Sequence, residues 1–214
     1  MKRRIVLLGP PASGKGTIAD GLRSEFGLPI VSPGSLLRAE RTAGTALGLE
    51  ADAKTSQGQL IDDATINALV GNWIRQQKGD GLVFDGYPRT LGQATALDAE
   101  LAERAKPLDL VILLEASVNT LRLRVEHRAI CNQCGNILSI GVHVPSADAN
   151  CPRCGGALSH RSDDSVETLE RRLQEYATKT EPLVQFYEDR GLIKRVNTER
   201  PPEIVFEQVR RIVE

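Results

Sequence analysis

Gly9-Pro10-Pro11-Ala12-Ser13-Gly14-Lys15-Gly16-Thr17 reads G-x-x-x-x-G-K, followed by Gly-Thr. Ile5-Val6-Leu7-Leu8 precedes it as a short apolar run of β type, and Ile18, Leu22 and Phe26 follow at helical spacing. Strand, glycine turn and helix form the context in which this motif makes a phosphate site. Inward-pointing N–H groups of such a loop wrap oxyanions, and the helix N-terminus adds its dipole. Glycine lets the backbone approach that closely. Lys15 supplies a point charge for the β- and γ-phosphates.

The rest of the chain narrows the class. Its 214 residues suffice for one α/β domain with insertions, and 41% hydrophobic with 26% charged residues is ordinary for a globular chain. A net charge of −1 argues against a general nucleic-acid binder, and 4% aromatic residues against a stacking platform for single strands. No apolar run approaches the ~20 residues of a membrane span. The first strand begins almost at once, which leaves no room for a signal peptide, so a cytoplasmic location is expected. N-K-x-D, the base-reading motif of GTPases, is missing from the sequence.

Along the chain, Arg4–Leu8 reads as a strand and Pro29-Ile30-Val31 as a second. Ser32-Pro33-Gly34-Ser35 reads as a turn capping a helix through Leu36-Leu37-Arg38, and residues 42–56 as short helices over a cleft. A helix from Asp63 would bury Ile66, Leu69, Val70, Trp73 and Ile74. Gly81-Leu82-Val83-Phe84-Asp85-Gly86-Tyr87-Pro88-Arg89-Thr90 is the second informative stretch. Its apolar run ends on Asp85, which in an open α/β sheet sits at the ligand edge and can hold magnesium through water. Arg89 leaves the turn as a fixed cation suited to a second phosphate. Leu110–Leu114 reads as a buried parallel strand, and Asn119–Arg128 as a helix with Arg124 and Arg128 on one face.

Cys131-Asn132-Gln133-Cys134 and Cys151-Pro152-Arg153-Cys154 are two C-x-x-C knuckles with residues 135–150 between them. Two tight turns that supply four thiolates are the signature of a closed, structural zinc site, with two disulfides or a redox pair as alternatives. Ile137–Ile140 and Val142–Val144 read as small strands between the knuckles. Beyond them, a long helix carries Leu169, Leu173 and Tyr176 past Pro182 to Tyr187. Leu192–Val196 is a strand, and Pro201–Val213 a last helix with Ile204, Val205, Val209 and Ile212 inward.

Taken together, the chain resembles the bacterial adenylate kinases with a long, zinc-carrying lid. The resemblance rests on Gly9–Thr17, Ser32–Arg38, Asp85–Arg89 with Gln93, Arg124, Arg128, the four cysteines, and Arg161-Ser162-Asp163-Asp164 leading to Arg172. It implies an α/β fold: a P-loop, five-stranded parallel sheet with helices on both faces. The core would comprise residues 1–31, 62–128 and 163–214. A helical acceptor-binding insert would span 32–61, and a small β zinc-knuckle lid 129–162. The implied reaction is transfer from MgATP to AMP, giving two ADP, by a monomer that binds no nucleic acid and no membrane. Lys15, Arg89, Arg124, Arg128, Arg161 and Arg172 would surround the transferring group, and Asp85 would orient the magnesium shell. Ala12, Ser13, Gly14, Lys15, Gly16, Thr17, Arg128, Ile137 and Leu138 would bind ATP. Pro33, Arg38, Gln59, Leu60, Ile61, Gly86, Tyr87, Pro88, Arg89, Gln93, Arg161 and Arg172 would bind AMP, with Gln93 reading the adenine. Cys131, Cys134, Cys151 and Cys154 would hold structural zinc. Ala12 stands where the family usually has Gly, Pro33 for Thr, Ser35 for Asp, Gln59 for Lys, and Leu138 for Tyr. The changes in the insert raise a kinase for another monophosphate, such as UMP or CMP, as an alternative. The cysteine knuckle raises a nucleotide-switched zinc ribbon that binds nucleic acid.

Overall fold

The computed structural model describes residues 1–55, 61–160 and 164–214. Five strands, β1 (Arg4–Leu8), β2 (Ile30–Val31), β3 (Leu82–Asp85), β4 (Leu110–Glu115) and β8 (Ile193–Asn197), form one sheet in the order β2-β3-β1-β4-β8. Every pairing in it is parallel. The apolar runs explain the two-sided burial. Alternate residues of β1 and β4 feed different cores: Val6, Leu8, Val111 and Leu113 one, Ile5, Leu7, Leu110, Ile112 and Leu114 the other. A parallel sheet covered on both faces needs such unbroken runs.

Helices α1 (Lys15–Phe26) and α9 (Pro202–Val213) lie over one face, sharing a core with Leu22, Val205, Val209 and Val213. The other face holds α4 (Asp63–Gln76), α5 (Leu91–Glu103) and α8 (Pro182–Glu188) through Val70, Ile74, Leu97, Leu101, Leu183 and Tyr187. Trp73 packs half-buried against that cluster. Two helices, α2 (Pro33–Thr42) and α3 (Ala46–Thr55), form the insert after β2. After α6 (Val118–Glu126), strands β5 (Arg128–Cys131), β6 (Ile137–Ser139) and β7 (Leu158–Ser159) make a second, antiparallel sheet, followed by α7 (Val166–Glu175). Among the described residues no helix is long and apolar enough to cross a membrane. At the sheet edge opposite the glycine loop, the Lys2 N–H donates to Val213 O at 2.7 Å.

Five local expectations are corrected. Helix α2 starts at Pro33, directly after Ser32, because proline's fixed φ suits a first helical position. Helix α6 stops at Glu126, with His127 as C-cap, so Arg128 opens a strand opposite Ser139 and does not share a helix face with Arg124. Residues 141–143 form a turn and Val144 makes an isolated bridge to Ile140; β5 finds its second partner in Leu158–Ser159. Ile204 is 51% exposed, because α9 turns Val205, Val209 and Val213 inward. The long helix past Tyr176 is interrupted by a π turn over Tyr176–Thr180.

Candidate active site

The register places Leu7 of β1 beside Asp85 of β3, so the glycine loop and the Asp85 turn leave the sheet side by side at its carboxyl edge. That edge lies where the strand order reverses direction, the usual place for a ligand in such sheets. Gly9 has φ +144°, and a Cβ there would lie 2.5 Å from Leu114 O, so only glycine fits. Gly14 caps α1 at φ 97°. Ala12 also takes a positive φ, 62°.

Lys15 reaches back over the loop, and its Nζ donates to Gly9 O at 2.8 Å and Pro10 O at 2.7 Å. Burial pulls its pKa down to about 7, with Asp85 pushing it up and Arg89, Arg172 and Arg128 pushing it down. Asp85 is shifted the opposite way: burial raises its pKa, against the pull of Lys15, Arg89 and Arg38. These cross-couplings place Lys15, Asp85, Arg38, Arg89, Arg128 and Arg172 in one electrostatic cluster. Arg89 is itself lowered to about 10 by burial, then by Arg172, which is the signature of a site with more cations than carboxylates.

Four of the expected arginines are aimed by a partner. Arg89 donates from Nε to Gly86 O at 2.8 Å, over a glycine whose φ is +69°. The carbonyl of Arg89 accepts from Thr180 Oγ1 at 2.9 Å, so the π turn after α7 ties down the Asp85 turn. Arg124 donates to Ala12 O, Thr198 Oγ1 and Thr198 O. Arg128 is held through Nε and Nη2 by both carboxylate oxygens of Asp164, whose side chain is fully buried. Arg38 donates to Ser35 Oγ at 2.9 Å. Asp164, Thr180 and Thr198 escape sequence reasoning as supports. Asp164 alone carried a signal, as the end of the Arg161–Asp164 run.

Of the residues expected on the acceptor side, Tyr87, Pro88 and Gln93 belong to the turn after β3 or to the start of α5. Tyr87 is buried and donates to Asn67 Oδ1 at 2.8 Å, Pro88 follows it, and Ile61 and Pro33 are buried nearby in chain order at the insert's two ends. Gln93 is 2% exposed and already engaged through both ends of its amide. On the lid side, β6 splits its two expected residues. Ile137 brings Cδ1 to 3.7 Å from where a Cβ on Gly16 would stand, with Asp85 Oδ2 at 3.8 Å from the same point. Leu138 faces away into the lid's core with Ala129, Cys131, Val144 and Cys151, because successive strand residues alternate. Ser13 is buried in the loop and Thr17 is exposed. Arg161, Gln59 and Leu60 lie outside the described residues.

Around the second sheet, the Sγ atoms of Cys131, Cys134, Cys151 and Cys154 all lie within 4.8 Å of one another, with Cys131–Cys154 at 3.4 Å and Cys134–Cys151 at 3.8 Å. None is in a disulfide. A tetrahedron with Zn–S bonds of ~2.3 Å has S···S edges of ~3.8 Å, so the four atoms lie close enough to share one metal ion after small side-chain shifts.

A family model described as adenylate kinase matches residues 7–192. Curated relatives named adenylate kinase include one from Pseudothermotoga lettingae, 41% identical over 98% of this chain and 97% of its own length. One from Thermodesulfovibrio yellowstonii is 37% identical over 99% of both chains, and one from Methanosarcina acetivorans 37% identical over 98% of this chain and 97% of its own.

Proposed function

Because this chain belongs to the adenylate kinase family, its reaction is the reversible transfer of the γ-phosphoryl group of ATP to AMP, giving two ADP, and we propose the following division of labour among its residues. The observation that carries it is the cationic cluster of Lys15, Arg38, Arg89, Arg128 and Arg172 around the glycine loop and Asp85. No nucleophile from the protein is required. Phosphoryl transfer asks for alignment of acceptor and donor oxygens and for neutralisation of spread charge.

The loop Ala12–Thr17 and Lys15 hold the ATP phosphates. Arg38 and Arg89 hold the AMP phosphate. Arg124, Arg128, Arg161 and Arg172 close on the group in flight. Their planar donor forks and permanent charges suit three equatorial oxygens, and the partners that aim Arg124 and Arg128 lower the entropy lost on engagement. Ile137 is better placed than Leu138 to cover the donor side, since its side chain meets the loop. Gln93, with Gly86, Tyr87, Pro88, Ile61, Pro33, Gln59 and Leu60, would form the acceptor pocket. Asp85 would hold Mg2+ that arrives with ATP, supplying charge neutralisation on the phosphates. The four lid cysteines would hold zinc, supported by their mutual distances. Free thiols fit a reducing, cytoplasmic setting, and a monomer suffices because every group named comes from one chain.

An acceptor panel tests the proposal. Protein and MgATP are mixed with AMP, CMP, UMP, GMP or dTMP, and diphosphate formation is followed. AMP is expected to dominate, and Lys15→Met to lose transfer by about three orders of magnitude or more. A preference for another monophosphate would keep the fold and move the acceptor. No transfer to any, with ATP still bound, would remove the kinase and leave the zinc ribbon.

A further inference from the structure

We propose that Asp63 is a specificity-determining positioning residue: its carboxylate fixes which way the Gln93 amide faces and so decides which purine the acceptor pocket accepts. This rests on the reading of Gln93 as the contact to the acceptor base. Asp63 is the first residue of α4, just after the insert rejoins the core, and has no role in the phosphate cluster. Its Oδ1 accepts from Gln93 Nε2 at 2.8 Å, and its Oδ2 accepts from Thr90 Oγ1 at 2.5 Å. Thr90 is the N-cap of α5 and accepts in turn from the Gln93 backbone N–H at 3.1 Å. On the other side, Gln93 Oε1 accepts from the Arg89 backbone N–H at 2.8 Å.

These partners leave the amide one orientation. A backbone N–H only donates and a carboxylate only accepts, so the oxygen must face Arg89 and the nitrogen must face Asp63. A flip would set donor against donor and acceptor against acceptor in a buried place, where unmade hydrogen bonds are costly. One N–H and one oxygen lone pair remain for a ligand, in a fixed order. Adenine offers a donor beside an acceptor on either of its edges. Guanine reverses that order on its pairing edge and has two acceptors on the other. A free amide could turn to greet guanine, whereas a held one cannot. A Cβ at position 92 would stand 3.0 Å from Asp63 Oδ2, so the glycine leaves the carboxylate its place against α5.

The test compares kcat and KM for AMP and for GMP in wild type, Asp63→Ser, Asp63→Asn and Gln93→Ala, with melting temperatures alongside. Serine keeps a polar group at the helix start but is too short to hold the amide, while asparagine keeps an acceptor in place. In Asp63→Ser, KM for AMP should rise about tenfold and the AMP-to-GMP ratio of kcat/KM should fall about tenfold, with kcat at saturating AMP within about threefold. Asp63→Asn should restore most of the ratio. An Asp63→Ser enzyme that only melts earlier, with its ratio intact while Gln93→Ala loses it, overturns the role of Asp63 and leaves Gln93 as reader. A Gln93→Ala enzyme with ratio and KM intact overturns both.

Discussion

At the residue scale, Lys15 has the most consequential environment. Its folded pKa of about 7 lies below the ordinary lysine value because burial outweighs Asp85. Below that pH the ammonium is already charged, so this group adds no pH dependence to nucleotide binding. Above it, the amine must take up a proton to meet the phosphates, so affinity falls as pH rises, toward tenfold per unit. Calorimetry with ATP at about pH 6 to 9, in buffers of different ionisation heat, should show proton uptake that grows above neutrality. Ala12 shows why a departure from the loop's usual glycine is tolerated. The left-handed φ of 62° costs about 1–2 kcal/mol, while alanine saves about 0.5–1 kcal/mol of unfolded-chain entropy and its methyl packs against Leu121, Val125 and Leu169. The balance is near zero. Lys15, Gly9 and Asp85 could be singled out in the sequence because each sits in a short motif, and at Gly9 the backbone geometry forces the residue. The Asp63–Gln93 bond could not, because it joins residues that come together only when α4 and α5 pack.

At the element scale, the small β5–β7 sheet has too little core to stand alone, and the proposed metal would staple it. Its buried cluster is Ala129, Cys131, Leu138, Val144 and Cys151, two of which are thiols. So small a core cannot offset the ordering of its loops, which is the situation a metal staple serves. A strong chelator, or a Cys151→Ser/Cys154→Ser pair, should release one equivalent of zinc. Amides across 129–159 should then exchange at least tenfold faster, with sheet amides unchanged. Unchanged exchange in the lid would remove the structural role. Elements with long period or unbroken apolar runs were legible: α1, α4 and strands β1, β3 and β4 fall where residue spacing puts them. Element ends were not. Nothing in Leu123–Arg128 announces that α6 ends at His127, since strand pairing to Ser139 decides it. Val142–Val144 has strand-like residues but lost the competition for β5 to Leu158–Ser159.

For the whole molecule, strand order and the closure of the first helix by the last are set by packing between distant parts. A Cβ on Gly21 of α1 would stand 2.3 Å from the Phe206 ring of α9. Alanine for glycine inside a helix ordinarily gains about 1 kcal/mol, whereas overpacking costs about 1–3 kcal/mol. The clash wins, so Gly21→Ala should lower the melting temperature by up to about 5 °C. In a Phe206→Leu background the same change should become neutral or stabilising, a reversal of sign that a double-mutant cycle reads directly. The helix that carries the phosphate loop is thereby wedged in place by residues at the far end of the chain, which a local reading of sequence cannot see.

The bond from Lys2 to Val213 has a practical meaning of its own. Both chain ends emerge together on the blind side of the sheet, away from the catalytic mouth. A tether, a reporter or a second enzyme spliced to either end would ride behind the molecule, clear of the glycine loop. The two ends are close enough that a short peptide could sew them into a ring, and new ends could then be opened in a surface loop.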